Sequence, residues 1–177
     1  MKAQAPRTHP IAQPDHEARP VRAFEVELPP AARGLSTLRR IDYSDAFRLE
    51  TPLAGKRSGE GWACAILEGA PPETRRRLRQ GWLERRVQLG PPDDGRFILG
   101  WEVRASRADY ALLEVSGLST QAQLLCQRQS RAVLVATFMQ LDSPQARLSW
   151  DSTAPHHRKI LRQLVEEAGQ RAAEELA

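Results

Sequence analysis

Two adjacent histidines, His156 and His157, are the side chains of this 177-residue chain best suited to proton chemistry near neutral pH in its apolar-patterned part. They sit in a helical pattern, and a helix turns about 100° per residue, so both cannot face one pocket and a paired metal site is not expected. One reading packs one ring beside Pro155 and leaves the other in solvent. The alternative aims one of them, with His157 the candidate, into the interior as a polar anchor or proton carrier. No Asp or Glu follows either histidine by three or four residues to orient it. Glu102 is a second candidate acid or base.

Four tryptophans, Trp62, Trp82, Trp101 and Trp150, fall on segments expected to face inward, where large aromatics dominate cores and also line pockets. Thr137 and Met139 are two apart in a strand-like run and so share a face; methionine makes an adaptable apolar wall and threonine adds one hydroxyl. The candidate ligand-contacting residues are therefore Trp62, Trp82, Trp101, Thr137, Met139 and His157, with core packing as the alternative role for each. Ser119 and Ser149 lack a G-x-S-x-G setting, and no glycine-rich phosphate loop is present. Cys64 and Cys126 lack a C-x-x-C spacing. No catalytic residue, metal or cofactor is expected.

These side chains need elements to carry them. Residues 1–22 hold Pro6, Pro10, Pro14 and Pro20 without an apolar period, which predicts a mobile tail. Residues 24–28 alternate apolar and charged and predict a short strand for a sheet edge; the latter half of residues 42–51 predicts the first core strand. Ser58 can cap a helix whose Trp62, Ala63, Ile66 and Leu67 recur at helical spacing. A second helix is expected over about 72–89, with Leu78, Trp82 and Leu83 on one side. Four strand-like runs follow between residues 96 and 141 at hairpin spacing, the first of them half-buried with Phe97, Leu99, Trp101 and Val103 on one face. The last, residues 133–141, is apolar on both faces and predicts a central strand. Ser143 and Pro144 open a long helix with an apolar stripe through Ile160, Leu161, Leu164, Val165, Ala168 and Ala172, which Pro155 is expected to kink or split.

The net charge of +4 and the cluster Arg75, Arg76, Arg77 and Arg79 are compatible with phosphate contacts. Consecutive arginines fan out around a helix, however, and without interleaved aromatics the better reading is a solvated face and no nucleic-acid partner. No run reaches the roughly 18 apolar residues of a membrane span. No apolar signal segment opens the chain, and two cysteines in apolar surroundings suit a reducing compartment, so a cytoplasmic location is expected.

The runs DYSDAFRL, WACAILEGAPP, RFILGWEV, ATFMQLDSPQARLSW and APHHRKILRQLV, in this order, resemble an uncharacterised bacterial family of the START-like superfamily, also called SRPBCC or polyketide cyclase and lipid-transfer-like. The resemblance covers about residues 24–168. It implies an α+β helix-grip fold, in which an antiparallel sheet wraps a long C-terminal helix with two short helices after the first strand, as a single domain over residues 23–177. It also implies a cavity for a small hydrophobic or amphipathic molecule, lipid or polyketide-like. Members of the superfamily include carriers, receptors, cyclases and ring hydroxylases; the iron site and partner domain of the hydroxylases have no counterpart here. The expected function is ligand binding without catalysis. A cyclase or isomerase using the same cavity, and a protein-interaction or homodimerising domain with a closed core, are the alternatives.

Overall fold

The computed structural model describes residues 21–175. Residues 1–20 of the tail expected at 1–22 lie outside the described residues; Val21, near its end, packs against the core. In chain order the elements are β1 (Ala23–Glu25), α1 (Pro30–Arg33), β2 (Tyr43–Glu50), a 3-10 turn (Ala54–Lys56), α2 (Gly59–Leu67) and α3 (Pro72–Glu84). Then come β3 (Val87–Gln88), β4 (Phe97–Ile98), β5 (Trp101–Ser106), β6 (Tyr110–Gly117), β7 (Thr120–Arg128), β8 (Ala132–Leu141) and α4 (Pro144–Glu174). The fold is α+β: one antiparallel eight-stranded sheet ordered β1-β2-β8-β7-β6-β5-β4, with β3 also on β6, and a long C-terminal helix.

The residues that follow each turn explain this order. Short connections join β5 to β6, β6 to β7 and β7 to β8, which places consecutive strands side by side. Strand β8 then pairs on its other edge with the whole length of β2, Glu50 opposite Ala132 through Tyr43 opposite Met139. All ten residues of β8 are buried, as its two-faced apolarity predicts. The predicted edge strand is β1, hydrogen-bonded to β2 alone.

Helices α2 and α4 pack on the same face of the sheet, where Phe47, Leu49, Trp62, Ile66, Leu113 and Val165 form the larger apolar cluster. Ser58 caps α2 by accepting from the Gly61 amide, and Ser143 caps α4 by accepting from Ala146. The opposite face is also covered. Val26, Leu28, Leu35, Leu38 and Ile41, from the segment that carries α1, pack on Leu112, Leu125, Leu134 and Phe138. Fully buried Gln123 pins that segment: its amide oxygen accepts from Ser36 Oγ and the Thr37 amide, and its amide nitrogen donates to Glu114. Both faces of the central strands are thus covered, which accounts for the two-sided apolarity of β8.

Three expectations are corrected. Residues 97–104 are not one half-buried strand but a hairpin, β4–β5, turned by Leu99 and Gly100 at φ 50° and 93°. Two successive left-handed residues make the tight turn that suits strand twist, and Gly100 takes the second position without steric cost. Helix α3 ends at Glu84 instead of near residue 89, because Arg86 at φ 58° turns the chain into β3, and Leu83 is left exposed. Helix α4 runs uninterrupted through Pro155. Pro155 and Asp151 both lie on the exposed side, so water can take the carbonyl that the missing N–H leaves free. No helix among the described residues is long and apolar enough to cross a membrane.

Candidate functional site

On the face shared by α2 and α4 the inner side chains form cross-strand rows. Tyr43, Met139, Ala122 and Val115 follow one another across β2, β8, β7 and β6, and Asp45, Thr137, Leu124 and Leu113 form the next row. Ala122 is the smallest member of its row, and space opens above it. A cavity of about 500 Å³ lies there, floored by Val115, Ala122, Leu124, Thr137 and Met139 and walled by Leu78 and Trp82 of α3, Trp101 of β5, and Trp150, His157 and Leu161 of α4. Its mouth lies where residues 84–87, the β6–β7 turn and the first turn of α4 meet, and Leu118 there is 83% exposed. A volume of this size suits a drug-sized ligand.

Five of the six candidate residues meet at this cavity: Trp82, Trp101, Thr137, Met139 and His157. Trp82 and Trp101 pack edge to face with ring centroids 5.5 Å apart. The sixth, Trp62, is outside the cavity lining and fully buried, its indole N–H donating to the Ala54 carbonyl at 3.0 Å. Helical spacing assigned it to an inward face correctly, but that face meets the 3-10 turn and the sheet. Glu102 is exposed and pairs with Arg104, away from the cavity. His156 is exposed, and Arg76 and Arg77 are solvated beside Glu73. Both cysteines are free thiols; burial pushes Cys126 up to about 12.

His157 does have an orienting carboxylate, contrary to the local reading of the sequence. Its Nε2 lies 3.3 Å from Asp45 Oδ2 and 3.0 Å from Thr137 Oγ1. The Tyr43 hydroxyl donates to the same Asp45 oxygen at 2.6 Å, while Asp45 Oδ1 is buried with no hydrogen-bond partner among the described residues. The partner comes from β2, over one hundred positions earlier in the chain, which spacing within α4 could not reveal. A signal was nevertheless present. Asp45 occupies the inward position of the alternating set Tyr43, Asp45, Phe47 and Leu49, and a carboxylate on an apolar strand face needs a partner. Trp150 completes the group, its ring 5.1 Å from His157 and 5.0 Å from Tyr43.

Burial pushes the Asp45 carboxyl up, but hydrogen bonds from His157, Tyr43 and Thr137 together with the histidine's charge outweigh this, and its pKa lies below the ordinary 3.8. Burial, with the Asp45 carboxylate, pushes the Tyr43 hydroxyl well above its ordinary value. A carboxylate with a lowered folded-state pKa contributes stability above its unfolded value, lost as pH falls through the folded one. Wild-type unfolding free energy, measured by denaturant titration, is therefore expected to decrease as pH falls below about 4. The Asp45→Asn variant should lose part of this slope; an unchanged slope would show that Asp45 does not contribute to it.

Comparison of the chain with protein-family models, with curated proteins and with solved structures gives no match.

Proposed function

We propose that this protein binds one small hydrophobic or amphipathic molecule in the cavity between the sheet and helix α4, without transforming it. The observation that carries this reading is the cavity wall, which is mainly apolar, with Thr137 and His157 paired at one side, Thr153 one turn earlier on α4, and a polar mouth. Apolar area removed from water supplies roughly 25 cal/mol per Å² toward binding, and a few polar groups inside set orientation. The eight-stranded antiparallel sheet with its long C-terminal helix is compatible with a helix-grip fold, and the resemblance to START-like proteins supports the same use of the space. An open cavity weighs against the closed-core, partner-binding alternative. The free thiols suit a reducing compartment.

Native mass spectrometry of protein purified from its own host tests this. A co-purifying apolar mass at fixed stoichiometry is expected, and the Ala122→Phe variant, which places a ring in the floor of the cavity, should lose it while keeping the wild-type circular dichroism. A clean apo mass in the wild type, with no uptake from a panel of lipids and polyketides, would overturn the proposal.

A further inference from the structure

The Thr137–His157 pair in the cavity wall carries information about the ligand. His157 Nε2 lies between a buried carboxylate oxygen and a hydroxyl, Asp45 Oδ2 at 3.3 Å and Thr137 Oγ1 at 3.0 Å. An unprotonated Nε2 would set its lone pair against the carboxylate, so the network assigns the proton of the neutral ring to Nε2. The Tyr43 hydroxyl points its proton at the same carboxylate oxygen and so cannot supply one to the histidine. Asp45 therefore acts as a positioning residue: it selects the tautomer and, with Trp150 packed beside the ring, the orientation. The second nitrogen, Nδ1, then carries a lone pair and has no partner among the described residues, in a ring that lines the cavity and whose side chain is 25% exposed.

We propose that His157 Nδ1 is the recognition point for a hydroxyl group on an otherwise apolar ligand, of the phenol or enol class. This rests on the cavity-binding reading above and specifies its ligand. A hydroxyl is the group that serves both charge states of the ring: it donates to Nδ1 of neutral imidazole and accepts from Nδ1–H of imidazolium. An acidic hydroxyl suits it best, since a proton moving from oxygen to Nδ1 leaves an imidazolium that the Asp45 carboxylate is already placed to stabilise. An ether or a ketone can only accept, and so leaves the neutral ring's lone pair unmatched. The adjoining surfaces, from Trp150 to Trp82 and Trp101, are aromatic and complement a flat ring system.

The test is calorimetric titration with naphthol and with its methyl ether, at a pH above the ordinary range of histidine. Wild-type protein is expected to bind naphthol about tenfold tighter or more, the difference between a made and an unmade buried hydrogen bond. In the His157→Phe variant the ether should bind as before and the preference should vanish. In Asp45→Asn the amide can donate to Nε2, the ring proton moves to Nδ1, and the preference should shrink severalfold. Proton–nitrogen NMR of the imidazole reads that tautomer change directly, which a loss of packing alone would not produce. Equal binding of both probes to the wild type overturns the hydroxyl assignment and leaves the cavity reading intact. Failure of both probes to bind overturns the two together.

Discussion

Replacing Gly59 with alanine is expected to destabilise the protein by about 3 kcal/mol or more, the upper range for overpacking a site that cannot relax. A Cβ at this position would lie 2.3 Å from the Tyr110 carbonyl carbon and Cα and 2.6 Å from the Ala111 nitrogen. Those are backbone atoms at the start of β6, held by pairing with β7 at Tyr110 and Ala111. The first turn of α2 therefore rests directly on a strand, and only glycine permits that approach. Displacement of α2 would carry Trp62 and Ile66 with it. Gly61, two residues on, is the control. Its Cβ would meet Arg57 Cβ at 3.3 Å and the capping Ser58 Oγ at 3.4 Å, a full ångström farther than the contacts at Gly59 and with no backbone atom in the way, so Gly61→Ala should change stability by less than about 1 kcal/mol. Denaturant unfolding of the two variants checks this; equal midpoints would mean that the contact between α2 and β6 is not as tight as described.

Trp62→Ala is expected to cost about 4 kcal/mol, since it removes the largest fully buried side chain and leaves the Ala54 carbonyl without its donor. Trp101→Ala should cost less, because one side of that ring already faces the cavity, and its indole N–H is buried without a partner. The two differ in the opposite sense for ligand. Trp62 is not part of the cavity lining, whereas Trp101 is part of the wall. Removal of Trp101 should therefore weaken uptake of naphthol by severalfold, while Trp62→Phe, which keeps an aromatic ring in the core, should leave it alone. The check pairs unfolding midpoints with calorimetry. A ligand effect at Trp62 equal to that at Trp101 would refute the assignment of Trp62 to the core.

Much of the architecture was legible in the sequence because it depends on short-range patterns. Period-two apolarity and hairpin spacing placed β6, β7 and β8, and Ser58 and Ser143 marked two helix starts that the structure caps as expected. Where local patterns misled, local chemistry was under-read or distant chemistry intervened. The Leu99–Gly100 pair is a hairpin turn hidden inside an alternating run, because turn and strand there share the same apolar composition. Pro155 does not interrupt α4, because the lost hydrogen bond lies on the side that water reaches, a matter of orientation and not of residue type.

The residue types and their spacing were thus enough to establish a sheet of antiparallel hairpins, a capped C-terminal helix, and a set of inward aromatic, threonine, methionine and histidine side chains. They could not sort Trp62 from Trp101, because both obey the same inward periodicity and only the packing of layers leaves one against the 3-10 turn and the other beside a void. Nor could they join Asp45 to His157. That contact spans the sheet and the final helix, and it exists because β2 pairs with β8 in a register that sets Asp45 opposite Thr137, directly under the face of α4 that His157 presents.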